Sequence, residues 1–188
     1  MPEIDLAGLT TSGERCIEEL SSLFVRSRQG AVKPEWVIVD AATAVETHVS
    51  RALSRLVSES GVSDTRLGQA LIDSINDDIH RTWASRLDWL GEGFGVSIKG
   101  EAFAQDLLVV VDCRNAIVHG SGYLTKQQTN NFTKALALRK RMKSVLDIDT
   151  HSTRLVLGEL SVERCIRICR RFVVEFDRLV SSLCSDVY

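Results

Sequence analysis

Leu107-Leu108-Val109-Val110-Val111-Asp112-Cys113-Arg114-Asn115-Ala116-Ile117-Val118-His119-Gly120 is the stretch on which the reading of this chain turns. Its first half is apolar on every side and belongs inside a protein. Its second half sets an acid, an arginine, an amide and a histidine on the same segment. An arginine there is costly unless it is paired or used. Gly120-Ser121-Gly122 supplies a C-terminal cap signal, so a helix is expected to stop at Gly120. The polar side chains then gather at one helix end, beside a turn.

The spacing carries geometry. Asn115 and His119 fall on one face of a helix, and Asp112 extends the same stripe. Arg114 and His119 are separated by about 140° around the axis and roughly 7.5 Å along it. From a single straight helix they are not expected to converge on one small atom. Either the last turn is distorted, or a symmetric dimer places this helix end at its two-fold axis and brings both pairs into one cleft.

Outward from this segment the chain reads as helices. One is expected from about Ser12 to Arg28, ended by Gln29-Gly30. A second starts near Pro34, with Ile38, Ala42, Val45, Val49, Leu53 and Leu56 at steps of three and four. The same phase predicts a third over Thr65 to Leu90, with Leu67, Leu71, Ile75, Ile79 and Trp83 inward. The segment from Gly91 to Gly100 is glycine-rich. It follows a helix and lacks the phosphate-loop patterns, so it reads as a mobile connection. The central helix should span about Gly100 to His119, and another Thr125 to Leu146. Residues 147–158 are the least helical, with a short strand or extended arm at Thr153 to Leu157. A last helix opens at Ser161. Its Val162, Ile166, Cys169, Val173, Phe176, Val180 and Leu183 keep a heptad rhythm that suits a bundle or a dimer seam. The expected fold is an all-α bundle of long antiparallel helices in one domain over residues 1–188, with 1–11 a loosely ordered tail.

Composition limits the function. The net charge of -2 argues against a generic polyanion binder, since such domains are usually basic overall. No stretch approaches a membrane span. The cysteines are Cys16, Cys113, Cys165, Cys169 and Cys184. Their spacing fits no zinc site, and Cys165 and Cys169 read as core. An odd count without a signal peptide implies a reducing, cytoplasmic setting. No H-x-x-x-H exists, so no metal or cofactor is expected; His48 and His80 read as surface or rim residues, and Asp77-Asp78 as a solvated face.

Arg-Asn-x-x-x-His-Gly at the end of a buried helix resembles the R-x4-6-H motif of HEPN domains. The likeness extends to an early helix carrying Glu46 and to the closing helix from Ser161. HEPN domains are small helical modules, many of them metal-independent endoribonucleases acting as toxins or in antiphage defence. The resemblance implies an RNA substrate, a homodimer, and a cognate antitoxin or nucleotidyltransferase-type partner. It implies His119 and Arg114 as catalytic residues, with Asn115 orienting His119 or binding phosphate. An imidazole titrates near neutral pH and a guanidinium grips phosphate oxygens in a fork. Asp112 and Glu46 stand as supporting residues, Glu46 as a partner of Arg114. Arg139, Lys140, Arg141 and Lys143 form a basic cluster suited to the RNA backbone. Some family members carry a modifiable tyrosine two residues after the histidine; here Ser121 stands in that place. The alternatives are a non-catalytic nucleotide-binding module or a scaffold subunit, in which Arg114 pairs with Asp112 or Glu46.

Overall fold

α5, Ala102–Gly120, runs through the middle of the bundle. Its Phe103, Leu107, Val109, Val110, Cys113 and Ala116 are buried on several sides, as a helix apolar all round must be. The computed structural model describes residues 8–185, apart from the side chains at 76, 182, 184 and 185. The side chain of Cys184 and the first seven residues of the expected tail lie outside what is described.

α2 (Pro34–Glu59) and α8 (Ser161–Ser185) pack on α5, and α1 (Thr11–Arg28) packs on α2 and α8. α2 begins on Pro34, whose fixed φ suits a first helical turn. Its Ile38, Val45, Val49 and Leu53 are fully buried. α8 brings Ile166, Cys169, Val173, Phe176 and Val180 into the same core. Phe172 and Phe176 stack at 5.5 Å, with Trp83 edge-on to Phe172 at 6.1 Å. The heptad stripe of α8 is therefore spent inside the chain and does not form an open dimer seam.

The protein is an all-α bundle with one small hairpin, and it departs from the sequence reading at several breaks. The helix expected over Thr65–Leu90 is two: α3 (Arg66–Arg81) and α4 (Trp83–Phe94). Thr82 is extended at φ -138, ψ 161, and its hydroxyl accepts from the Ser85 N–H at 3.0 Å, so it caps a new helix. α3 follows a 3-10 turn at Val62–Asp64 and lies on the periphery. Leu67 and Leu71, expected inward, are 72% and 52% exposed there. α4 continues through Gly91 and Gly93 and closes at Gly95, which takes a left-handed φ of 73. The connection after it is anchored rather than loose, because Val96 and Ile98 are buried.

The helix expected over Thr125–Leu146 is also divided, into α6 (Lys126–Thr129) and α7 (Phe132–Leu146). Asn131 is extended, and its side chain accepts from the Lys134 N–H at 2.9 Å. β1 (Ile148–His151) and β2 (Arg154–Leu157) pair antiparallel, Ile148 opposite Leu157. This hairpin fixes the chain leaving α5: the Leu124 N–H donates to Thr153 O at 2.7 Å and the Leu155 N–H to Gly122 O at 2.9 Å. At the other end, the chain expected as a tail is already tied down at residue 10. The Thr10 N–H and hydroxyl donate to Asp177 Oδ2 at 2.8 and 2.9 Å.

Candidate functional site

The end of α5 lies at a cleft of about 430 Å³ bounded by α2, α3, α4 and α5. Gly120 is the last helical residue and Ser121 takes the left-handed cap at φ 53. The Gly122 N–H then donates to Ala116 O at 3.0 Å, which satisfies a carbonyl of the last turn. His119, in that turn, is exposed, while Arg114 and Asn115 are half-buried.

Arg114 and His119 meet. Arg114 Nη1 lies 3.2 Å from His119 Nε2 and 3.1 Å from Asn115 Oδ1. The expectation that one straight helix keeps them apart does not hold. The backbone separation is as the spacing requires, and the long arginine side chain bridges it without any break in α5. Because a guanidinium only donates, Nε2 of His119 is the acceptor and Nδ1 carries the proton. Arg114 Nε is buried and has no hydrogen-bond partner.

Neither carboxylate expected to pair with Arg114 does so. Asp112 accepts from Gln128 Nε2 at 3.3 Å, and the same amide donates to the Asp112 carbonyl at 2.8 Å. Burial pushes the Asp112 carboxyl above its ordinary range, with Gln128 and Arg141 pulling the other way. Glu46 lines the cleft but takes Arg86 Nη2 at 2.8 Å. Arg86 is 4% exposed, lies over the Trp83 ring at 5.7 Å and reaches Ser50 at 3.4 Å. Arg86 was missed in the sequence. Its signal was its place on the inward stripe of Ile79, Trp83, Leu87 and Leu90, where a charge needs a partner.

The basic cluster of α7 is largely spent on the fold. Arg141 donates to the Gln105 carbonyl. Lys143 bridges Asp147 at 3.0 Å and Asp149 at 2.8 Å. Arg139, Lys140 and Arg141 have no ion pair among the described residues, but Arg141 is committed to Gln105.

His48 was expected at the surface and is 1% exposed. Its Nε2 faces Asp177 Oδ1 at 3.1 Å and its Nδ1 faces the Ser12 hydroxyl at 3.1 Å. His80 sits at the rim of the neighbouring hollow, where burial and then Arg86 lower its pKa. Cys16, Cys113, Cys165 and Cys169 are buried free thiols, and burial raises Cys16 to about 12. Among the described residues no cluster of His, Cys, Asp and Glu is arranged to hold a metal, and no helix is long and apolar enough to cross a membrane. Comparison with models of known families, with curated proteins and with solved structures finds no match.

Proposed function

We propose that this protein is a metal-independent endoribonuclease of the HEPN type, working in the cytoplasm as a toxin or defence effector. The observation that carries the reading is the 3.2 Å contact of Arg114 with His119 Nε2 at an open polar cleft. Nε2 is an unprotonated acceptor beside a cation with no carboxylate partner. That is the arrangement needed to take a proton from a hydroxyl next to a phosphate.

In the reaction, the 2′-hydroxyl gives its proton to His119 as the 2′-oxygen bonds to phosphorus. Arg114 holds the charge that grows on the phosphorane oxygens, displacing its contact to the imidazole. Asn115 keeps the guanidinium oriented. The P–O5′ bond then breaks, and the 5′-oxygen takes up a proton. Products are a 2′,3′-cyclic phosphate and a 5′-hydroxyl. One chain offers one imidazole here, whereas the reaction takes one proton and gives another. A homodimer with two such helix ends in one cleft supplies both, and sedimentation at micromolar concentration tests it. A nuclease of this kind is silenced by an antitoxin or nucleotidyltransferase-type partner; Ser121 in place of a modifiable tyrosine favours silencing by binding. Buried free thiols suit a reducing compartment.

One observation favours a non-catalytic nucleotide-binding module instead: Arg114 satisfies part of its donors on His119 and Asn115 within a single chain. Labelled RNA in excess EDTA separates the two. Wild type should cut RNA and leave all-DNA strands intact, and His119→Ala should not cut. Cleavage that requires magnesium, or that leaves 5′-phosphate ends, would overturn the proposed reaction.

A further inference from the structure

Three hollows share walls. One, beside His80, shares Glu46 and Arg86 with the cleft of Arg114. That cleft shares Asp112, Asn115 and His119 with a further hollow of about 710 Å³ against α6 and α7. They form one groove, with His119 at the junction of its last two sections.

Lys126 on α6 and Lys134 on α7 line the far section, and both are exposed. Neither has an ion-pair partner among the described residues. Their placement is built. Thr125 and Gln128 close a capping box on α6, and Gln128 Nε2 ties that turn to the Asp112 carbonyl of α5. Asn131 fixes the first turn of α7 through the Lys134 N–H itself. The backbone that carries both lysines is thereby fixed beside the section of groove that begins at His119.

We propose that Lys126 and Lys134 form a second phosphate-binding subsite, which holds the RNA strand where it leaves the Arg114–His119 cleft. The inference rests on the ribonuclease reading above and assigns the strand's path. It replaces the α7 cluster as the backbone contact, since Arg141 and Lys143 of that cluster are committed within the fold. The occupant we assign is a single strand, whose backbone passes Arg114 in the cleft of about 430 Å³ and continues to the lysines. Asp112 is the opposing charge at the junction, and Gln128 holds its carboxylate.

The test is binding, not cleavage. A short fluorescent 2′-O-methyl RNA has no free 2′-hydroxyl and stays intact, so its anisotropy can be followed across a salt series. For wild type, log Kd should rise with log salt. In Lys126→Gln/Lys134→Gln the slope should fall by about 1.4, and affinity near 0.15 M salt roughly tenfold, as two single-strand phosphate contacts are lost. Arg139→Gln/Lys140→Gln should leave the slope unchanged, and circular dichroism should show all three folded. An unchanged slope in the α6–α7 variant overturns the subsite, as does a wild type that fails to bind at about 50 mM salt. Cleavage of unmodified RNA is scored separately. A wild type that binds with the expected slope but cuts nothing keeps the subsite and removes the nuclease.

Discussion

Two regions of the bundle each hold a histidine among polar neighbours, and they use it in opposite ways. In the buried one His48 presents Nε2 to Asp177, a group that only accepts, so that nitrogen carries a proton. In the open one His119 presents Nε2 to Arg114, a group that only donates, so the same atom is an acceptor. His48 and Asp177 are each 1% exposed; Asp177 Oδ2 takes both Thr10 donors, and Oδ1 faces the imidazole as an ion pair. His119 is exposed, and its arginine keeps one buried N–H without a partner. A closed, dry cluster ties α1, α2 and α8 together. An open, wet one lies within reach of a ligand. Residue type alone does not separate structure from function; what matters is whether a ligand can reach the group.

The largest effect should come from breaking the closed cluster. Asp177→Asn leaves the groups around it facing a neutral amide in a dry site, at a cost of about 3–5 kcal/mol. Chemical denaturation reads this directly, and a loss well under 1 kcal/mol would show that the cluster does not hold the helices. Gly13→Ala should also destabilise, because a Cβ there would lie 2.1 Å from Asp177 Oδ2. The same carboxylate sets an acid limit. Burial alone would raise its pKa, but the bonds from His48 and Thr10 outweigh burial and hold it below the ordinary carboxylate range. Its stabilisation is therefore complete above the unfolded value, about pH 4, and is lost as pH falls further through the folded value. Asp177→Asn should flatten that acid transition.

Next in size is the open cluster. Arg114→Ala and His119→Ala should each lower RNA cleavage by on the order of 10²–10³, as expected for loss of one transition-state contact. Both should stay within about 1 kcal/mol of wild-type stability, because His119 is exposed and Arg114 holds no ion pair. A variant that melts early while still cutting RNA would place that residue with the closed cluster instead.

The two regions were unequally legible in the sequence. The helix end at Arg114–His119 is local: its residues are close in the chain, so spacing alone brings them to one place. The cluster at His48 joins residues from the first, second and last helices, and nothing near His48 announces Asp177. The long helices were readable because Ile38, Val45, Val49 and Leu53 repeat at helical spacing. The breaks were not, because Thr82 interrupts a stripe whose phase carries on from Ile79 to Trp83. Thr82 followed by Ser85, and Asn131 before Phe132, were the available cap signals. Leu67 and Leu71 were misplaced for a related reason: amphipathic spacing identifies a helix but not the neighbour that covers its apolar face.

The smallest predicted effect is the most discriminating, since it uses the same substitution on the other region. Asp112 differs from Asp177 in sign. Its carboxyl is pushed up by burial, beyond what Gln128 and Arg141 recover, so its charged form is disfavoured by folding. That cost is present at neutral pH and is relieved as pH falls through the raised value. Asp112→Asn removes the charge and keeps an oxygen for Gln128 Nε2 to bond. Stability should be unchanged or raised by no more than about 1 kcal/mol. RNA should bind a few-fold more tightly, because a like charge at the groove junction is worth about 1 kcal/mol near water. Denaturation and anisotropy on the same preparation check both. If Asp112→Asn instead destabilises as Asp177→Asn should, Asp112 belongs with the closed cluster, and the division between the two regions fails.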